Sequence, residues 1–286
     1  MDCYHALLTK IIEKEQDPVR PDRTGTGTLS MFGGMLTFDL RENVIPFVTT
    51  KTLFYKSVIL ELLSFLRGET DAKRVGSKIW DANTTREFLD SRGLYDYQVG
   101  DMGPMYGHSF RNFGEAYGGC DNTPRRGFDQ IANLIDGIRK DPYSRRHVMT
   151  TFNPQVVNEC ALMPCHGIAI QFYVDCDAIS CSVYCRSSDA FLGLPFNIAS
   201  YAVLTYIVAT KCDLVPGDLI VYLGDVHVYR NHVDAVKEQL SRTILPYPTF
   251  FVDPGVKEKE WEDITINDFN VIGYEHHPNI KASMAI

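Results

Sequence analysis

The sequence lacks long apolar runs and closely paired cysteines. No stretch approaches the roughly 20 apolar residues that a membrane-spanning helix requires, which argues against a membrane protein. The N-terminal residues show no basic segment followed by an apolar core, so we expect no secretory signal and a cytoplasmic location. The 8 cysteines include no C-x-x-C pair. We therefore expect reduced thiols and no metal site.

The chain is also poor in positive charge. Its 28 Lys and Arg against 36 Asp and Glu give a formal net charge of −8, which disfavours nucleic acid as the main partner. A small anionic ligand needs only a few converging arginines, so it stays compatible with this balance. Internal repeats, low-complexity tracts and Pro/Gly/Ser-rich linkers are missing too. We expect a single domain over residues 1–286.

Hydrophobic periodicity predicts a mixed α/β protein. Residues with helical spacing alternate along the chain with runs of period two, and DCDA at 175–178 supplies the turn of a hairpin over 167–187. Residues 114–127 read as an exposed loop. The predicted helices are 2–15, 58–68, 128–140 and 198–211. The predicted strands are 29–40, 147–153, 167–174, 179–187, 218–229 and, more weakly, 248–252.

Cys165 follows Pro164 in MPCHG and is the first candidate for chemistry. Proline cannot donate to a sheet ladder, so this step fits a strand start, where a side chain can face a cleft. If the strand extends back to Cys165, alternation places His166 on the opposite face, which makes that ring a poor base for the thiol. Most cysteines are unreactive, and the thiol needs nearby positive charge to ionise.

Several arginines at loop or strand ends are candidates to supply that charge. Each one alone fits an exposed surface residue, but together with a serine hydroxyl they suit a phosphate group and would lower the pKa of a neighbouring cysteine. The set comprises Arg23 in DRTGTGT, Arg145 and Arg146 in YSRRHV, and Arg186 and Ser187 in YCRSSD.

Three further features carry polar groups in unusual places. In GDVHVY, Asp225, His227 and Tyr229 share one strand face and suit either a sugar or phosphate ligand or an internal polar network. Asn197 either caps the following helix or reads the imide edge of a uracil. Glu61 has apolar neighbours nearly all round its helix, so we expect it to be buried with a raised pKa, unless it occupies an exposed stripe.

In combination these segments resemble the thymidylate synthase family over about residues 20–286. The resemblance implies a single-domain fold with a large mixed sheet flanked by helices, and two such sheets packed face to face across an obligate homodimer. It favours eukaryotic and large-virus members, and we expect no attached dihydrofolate reductase domain. The matching motifs are DRTGTGT, the helix with Glu61, IWDAN, GPMYG, SRR, PCH, RSSD, LGLPFNIASYA, GDVHVYRNH and HPNIKASMAI.

The resemblance also implies a reaction, the methylation of dUMP to dTMP with 5,10-methylenetetrahydrofolate as cosubstrate and dihydrofolate as product. Cys165 would attack C6 of the uracil, with Glu61 and Tyr106 in proton transfer and Asn197 on the base. Arg23, Arg186, Ser187 and the partner subunit's arginines at 145 and 146 would bind phosphate, and His227 and Tyr229 the 3′-hydroxyl. The implied folate contacts are Ile79, Trp80, Asn83, Asp189 (also toward the nucleotide), Leu192, Gly193 and Phe196, with Met284, Ala285 and Ile286 closing over them.

Four positions depart from the family pattern, and two other functions stay open. Cys185 replaces the usual Gln, while Ser64, Phe110 and Phe152 replace Trp; we expect altered kinetics or folate affinity. One alternative is a pyrimidine-nucleotide hydroxymethylase, in which water replaces hydride. The other is a catalytically silent nucleotide-binding or RNA-binding dimer, against which the acidic charge and the intact Cys165 count.

Overall fold

A computed structural model describes residues 1–18, 20–121 and 125–283. The chain runs α1 (Asp2–Ile12), β1 (Thr28–Asp39), α2 (Tyr55–Leu66), α3 (Arg86–Ser91), α4 (Tyr106–Arg111), α5 (Gln130–Lys140), β2 (Val148–Met149), β3 (Ala169–Asp175), β4 (Ala178–Asp189), α6 (Gly193–Lys211), β5 (Val215–Tyr229), α7 (Val233–Leu240), β6 (Thr249–Val252) and β7 (Phe269–Ile272). Short 3₁₀ turns connect several of these elements. The mixed α/β class is confirmed.

The main sheet has the strand order β1-β5-β4-β3-β2. The pairs β1–β5, β4–β3 and β3–β2 are antiparallel, whereas β4 and β5 are parallel. The predicted hairpin is present as β3 and β4, which pair from Ala169 with Tyr184 to Asp175 with Ala178. Because α6 is the crossover between two parallel strands, both strands end at the same edge of the sheet.

The α6 helix lies at the centre of the core, packed against β4, β5 and α2. By length and composition it is apolar enough to cross a membrane, but 78% of its apolar window is buried within the protein, as in a core helix. It begins at Gly193, five residues before the predicted start at 198. Pro195 lies in its first turn, where a missing N–H costs no hydrogen bond.

Other boundaries differ from the sequence prediction for local reasons. The α5 helix begins later than predicted because Asp129 caps it, accepting a hydrogen bond from the Ala132 amide. The predicted strand 147–153 is reduced to Val148–Met149, since the hydroxyl of Thr150 accepts from the Phe152 amide and donates to the Ile168 carbonyl. The α3, α4 and α7 helices were missed because they are short.

One face of the main sheet is left uncovered by the described residues. Val183 and Val221 point toward α6 and are fully buried, while Tyr184 and Tyr222, adjacent in register, are 36% and 43% exposed on the other face. Met35 pairs with Tyr222 and extends the exposed row. We call the face carrying Met35, Tyr173, Tyr184 and Tyr222 the open sheet face.

Candidate active site

A cleft of about 680 Å³ opens where β4 and β5 end and β1 begins. It gathers side chains from segments more than 200 residues apart in the sequence. Its lining is Arg20, Pro21, Asp22, Arg23, Thr24, Thr28, Trp80, Arg92, Tyr106, Leu162, Met163, Cys165, Arg186, Ser187, Asp189, Asp225, His227 and Tyr229.

Cys165 lies at the wall of this cleft in the segment that precedes β3. The strand starts only at Ala169, and Gly167 has φ +67°, so the strand alternation expected for residues 165 to 167 is wrong. The Ser187 amide donates to the Cys165 carbonyl at 3.2 Å, and the Cys165 amide donates to the Tyr106 hydroxyl at 3.1 Å. These two contacts fix the cysteine backbone between β4 and α4.

Among the described residues, the hydroxyl of Tyr106 hydrogen-bonds to the thiol of Cys165, 3.6 Å from Sγ. Burial raises the pKa of this thiol above its usual range, although the Tyr106 hydrogen bond and the Arg186 charge both act to lower it. The Arg186 charge acts on this pKa in the predicted direction, but in the single chain the effect of burial is larger. The cause is desolvation, which disfavours the thiolate more than one nearby guanidinium favours it.

His166 holds the Tyr106 ring in place and does not hydrogen-bond to the cysteine. Its ring stacks on Tyr106 with centroids 4.4 Å apart, and its Nδ1 lies 2.8 Å from the Tyr201 hydroxyl. Burial lowers the pKa of His166 to about 4, so the ring is neutral at physiological pH. The interpretation of His166 as an unsuitable base for Cys165 agrees with this geometry.

The arginines divide into two groups. Arg23, Arg186 and Ser187 line the cleft, and Arg186 donates to the Pro164 carbonyl through Nε at 3.4 Å and Nη2 at 3.3 Å, which places its guanidinium beside the cysteine segment. Arg145 and Arg146 are exposed and line no part of this cleft. A single chain therefore brings together only part of the predicted cationic set.

Two cleft arginines were not predicted. Arg20 pairs with Asp225 at 2.6 Å, and Arg92 follows α3 at the cleft surface. Neither lies in a recognisable motif, since Arg20 is two residues before DRTGTGT and Arg92 is in a polar turn. Only the packing of the loops shows that they reach the cleft.

The alternating polar side chains of β5 all face the cleft, as the spacing predicts. Asp225 Oδ1 lies 3.0 Å from His227 Nδ1, and the His227 and Tyr229 rings meet edge to face. The backbone at His227 is held by the Ala190 amide, which donates to its carbonyl at 2.7 Å. This wall of the cleft therefore presents imidazole, phenol and carboxylate groups together.

Glu61 is buried on α2, as predicted, with 8% of its surface exposed. Its Oε1 accepts a hydrogen bond from Trp80 Nε1 at 2.9 Å. Burial raises the pKa of Glu61 to about 7, against a smaller opposing effect of the Trp80 hydrogen bond. A carboxyl group with this pKa is half protonated near neutral pH and suits proton transfer.

Asn197 and Asp189 occupy different positions at the start of α6. Asn197 is four residues inside the helix and half-buried, so the interpretation of Asn197 as the helix cap is wrong. The N-cap residue is Leu192, and no side chain caps the helix. Asp189 Oδ1 accepts from the amides of Phe191 and Leu192 at 2.9 and 3.1 Å, in the turn that leads into the helix. The amide of Asn197 makes no side-chain hydrogen bond with any described residue.

Within the described residues, Asp71, Cys120 and Asp121 form one group with metal-ligating atoms within 4.8 Å of one another. It lies outside the cleft lining. Asp121 pairs with Arg74 at 2.9 Å, and Cys120 Sγ accepts from Gln98 at 3.0 Å. The structure thus explains this cluster by protein contacts, and the expectation of no metal stays a prediction.

Comparison with known proteins identifies the family. Residues 2–286 match the thymidylate synthase family model. The thymidylate synthase of Saccharomyces cerevisiae is 44% identical over 297 residues, covering 99% of this chain and 96% of the yeast protein. That of Ascaris suum is 47% identical over 269 residues, covering 93% and 90%.

The chain belongs to the thymidylate synthase family. The bifunctional dihydrofolate reductase-thymidylate synthase of Zea mays is 46% identical over 270 residues, 93% of this chain and 51% of the maize protein. The chain thus spans about half the length of such bifunctional relatives, and the match to the eukaryotic members agrees with the predicted resemblance.

Residues predicted for folate in a thymidylate synthase are only partly gathered at this cleft. Trp80 and Asp189 line it, whereas Asn83 is buried and Phe196 is half-buried beyond the lining. The other half-buried positions outside the lining are Ile79, Leu192 and Gly193. Met284, Ala285 and Ile286 lie outside the residues that the structure describes.

The four departures from the thymidylate synthase pattern are accommodated locally. Cys185 is fully buried, and this burial raises the pKa of its thiol. The Ser64 hydroxyl donates to the backbone carbonyl of Glu61 at 2.7 Å. It therefore bonds to its own helix and not to the Glu61 carboxylate. Phe110 packs edge to face on Phe65, and Phe152 is half-buried.

Proposed function

We propose that this chain catalyses the reductive methylation of dUMP to dTMP, with 5,10-methylenetetrahydrofolate as cosubstrate and dihydrofolate as second product. The observation that carries the proposal is the position of Cys165, whose thiol faces a cleft of nucleotide size between Tyr106 and Arg186. Family membership supports the same reaction.

In this reaction the sulfur of Cys165 bonds to C6 of the uracil, and the electron pair of the C5–C6 double bond makes C5 nucleophilic. C5 attacks the methylene carbon of the cosubstrate and then loses its proton. The bonds between this methylene carbon and the folate nitrogens break, and the tetrahydrofolate so released supplies a hydride to the one-carbon unit and becomes dihydrofolate. The thiolate leaves as the C5–C6 double bond forms again. Cys165 therefore acts first as nucleophile and finally as leaving group.

Tyr106 and Glu61 are proposed for the proton transfers. The Tyr106 hydroxyl contacts both the amide and the sulfur of Cys165, so it is next to the atom that attacks and beside the carbon that must lose its proton. Burial of Glu61 keeps its pKa near neutrality, which lets it both accept and donate. Trp80 fixes the Glu61 carboxyl through its indole N–H.

The remaining cleft residues are proposed to bind the nucleotide. Arg23, Arg186 and Ser187 offer guanidinium and hydroxyl donors that match phosphate oxygens. Tyr229 and His227, on the same wall, suit the 3′-hydroxyl of the sugar. The amide of Asn197 has both donor and acceptor groups and makes no side-chain hydrogen bond with a described residue, so it is available to select the uracil edge together with Asp189.

The folate is proposed to lie over Trp80, in contact with Asp189 and with the side chains at 79, 83, 192, 193 and 196. The indole of Trp80 is 9% exposed and packs against Phe65 and Tyr106, which gives a rigid apolar surface for a flat ring. The C-terminal residues 284–286 are proposed to close over the folate and exclude water.

A homodimer is proposed from the open sheet face. Tyr173 is 62% exposed there and Met35 61%, and an apolar sheet face of this kind is typical of an interface between subunits. Face-to-face packing of two sheets would bury it. The exposed Arg145 and Arg146 are then proposed to complete the phosphate site of the partner subunit.

The test is to incubate purified protein with dUMP and methylenetetrahydrofolate and to follow dihydrofolate absorbance, together with the mass of the nucleotide. We expect dihydrofolate and a nucleotide heavier by one methyl group. Cys165→Ser should lose at least about 10³-fold in rate, because the nucleophile is removed, yet retain dUMP binding by calorimetry. A hydroxymethyl product, or binding with no turnover by the unaltered chain, would contradict the proposal.

A further inference from the structure

Three side chains, Arg20, Asp225 and His227, form a hydrogen-bonded row along one wall of the cleft. Arg20 Nη1 donates to Asp225 Oδ2 at 2.6 Å and to Ser30 Oγ at 3.2 Å. The other carboxylate oxygen, Asp225 Oδ1, lies 3.0 Å from His227 Nδ1. Each oxygen of Asp225 thus has its own partner.

The backbone enforces this row. Asp225 and His227 are two residues apart on β5 and therefore face the same side of the sheet. In register they lie opposite Ser187 and Asp189 of β4, and the Ala190 amide donates to the carbonyl of His227. The side chain of His227 is only 11% exposed, so its ring has little freedom to turn.

The row determines which nitrogen of His227 carries the proton when the ring holds only one. A carboxylate can only accept hydrogen bonds, so the 3.0 Å contact requires a proton on Nδ1. Nε2 is then left with a lone pair and no proton. No hydrogen bond joins Nε2 to any other residue that the structure describes, and His227 lines the cleft.

We infer that Asp225 sets His227 as a hydrogen-bond acceptor, and that the cleft therefore selects nucleotides whose 3′ substituent donates a hydrogen bond. This rests on the proposed function, in which the 3′-hydroxyl of dUMP meets His227. A hydroxyl donates to Nε2, whereas a fluorine or an alkylated oxygen at the same position presents a second acceptor. Asp225 is a positioning residue that acts through His227.

The experiment compares dissociation constants of dUMP and 2′,3′-dideoxy-3′-fluoro-UMP by calorimetry without folate, so that turnover is not required. Fluorine is close to hydroxyl in size but cannot donate. The wild-type chain should prefer dUMP by at least about tenfold, the effect of one lost hydrogen bond that leaves a buried acceptor unpaired. Failure to bind dUMP at all would count against the proposed function, whereas equal binding of the two nucleotides would overturn only this inference.

Asp225→Asn supplies the decisive variant. Arg20 can only donate, so the carboxamide oxygen should face Arg20 and the NH2 group should face His227 Nδ1. Nδ1 must then accept and the ring proton moves to Nε2, which can donate to fluorine, so the preference should fall to within about threefold. If the variant binds both nucleotides more weakly by the same factor, the ratio of the two dissociation constants stays at the wild-type value. That result would overturn the inference, because it is what a merely structural role of Asp225 predicts. If this variant does not fold, the wild-type chain alone decides: a preference for dUMP below about threefold would overturn the inference.

Glu262→Gln is the matched control, because Glu262 pairs with Arg125 at 2.9 Å in an exposed ion pair outside the cleft lining. It makes the same carboxylate-to-amide change beside an arginine. We expect the wild-type preference to be unchanged. A ratio altered as much as in Asp225→Asn would overturn the assignment to Asp225.

Discussion

At the scale of single residues, Glu61 shows how burial prepares a group for chemistry. Within the part of the chain that the structure describes, its carboxyl accepts from Trp80 and is otherwise surrounded by apolar residues of α2 and its neighbours. Burial favours the neutral form, so the pKa rises from 4.5 to about 7. The same desolvation that suits proton transfer also costs stability.

This cost depends on pH in a predictable direction. Below about pH 4.5 the carboxyl is protonated in both the folded and the unfolded chain, and it makes no pH-dependent contribution. As the pH rises toward 7, the unfolded chain loses its proton first, so the free energy of unfolding falls. Between pH 5 and 8 the wild-type chain should lose about 2 to 3 kcal/mol relative to Glu61→Gln.

Urea denaturation at several pH values and one protein concentration measures this difference. Glu87→Gln, an exposed carboxylate on α3, is the control and should run parallel to the wild-type chain. Parallel curves for Glu61→Gln as well would show that Glu61 does not titrate as the burial requires.

Residue-level prediction from the sequence succeeded where local pattern alone decides the environment. The apolar residues around Glu61 indicated its burial, and period two placed Asp225, His227 and Tyr229 on one face. It gave the direction in which Arg186 acts on the pKa of Cys165 but not the net rise, because the desolvation that opposes Arg186 depends on the whole fold. Arg20 and Arg92 carried no local signal, since loop packing alone brings them to the cleft.

At the scale of elements, the turn before β3 determines where Cys165, the proposed nucleophile, lies. Gly167 has φ +67°, and a Cβ built on it would lie 2.5 Å from the Tyr201 hydroxyl and 3.0 Å from Thr151 Cγ2. The Thr151 amide donates to the Gly167 carbonyl at 3.0 Å. The cysteine segment is therefore held in a conformation that other residues adopt only with strain.

Gly167→Ala should destabilise the protein by about 1 to 3 kcal/mol and lower the turnover rate. The added methyl group pushes against Tyr201, which hydrogen-bonds to His166, and His166 stacks on Tyr106 beside the thiol. Urea denaturation and the dihydrofolate assay measure the two effects.

Gly273→Ala is the control, since Gly273 has φ +72° and open space around its Cβ position. It should show the backbone strain without the loss of rate. An equal loss of rate in both variants would argue against the contact with Tyr201 as the cause.

Long, strongly periodic elements could be predicted from the sequence, while short ones could not. The β3–β4 hairpin, β1 and β5 were found within a few residues of their limits because their alternation extends over many positions. The six-residue helices α3 and α4 offer too few turns for a periodic pattern and form because tertiary packing covers them. Asp129 and Gly167 show that caps and glycine turns fix the exact boundaries.

At the scale of the whole molecule, the open sheet face and the exposed Arg145 and Arg146 both lead us to expect that activity depends on the dimer. If two sheets pack together at this face, a charged side chain in place of Tyr222 would be buried against the partner subunit with no opposite charge to pair with. Tyr222→Arg should therefore shift the protein from dimer to monomer and reduce activity at least about 100-fold, because the proposed phosphate site would lose the partner's guanidinium groups.

Sedimentation analysis and the dihydrofolate assay test this expectation. Phe251→Arg is the control, because Phe251 is 41% exposed but lies on β6 of the small second sheet, and it should remain dimeric. Mixing Cys165→Ser with Arg146→Gln subunits should restore part of the activity. In a mixed dimer, one of the two sites has an intact Cys165 from one subunit and an intact Arg146 from the other. A Tyr222→Arg monomer with full activity would contradict the shared site.

The parallel pairing of β4 with β5 also has a consequence for how the chain reaches its native state. Ser187 and Asp189 meet Asp225 and His227 only across the α6 crossover, so this edge of the sheet cannot assemble from a local hairpin. Pairings between segments so distant in sequence form slowly and late. If the proposed nucleotide bridges both strand ends, it binds only the finished arrangement, and its cellular concentration then contributes to how much of the protein stays folded.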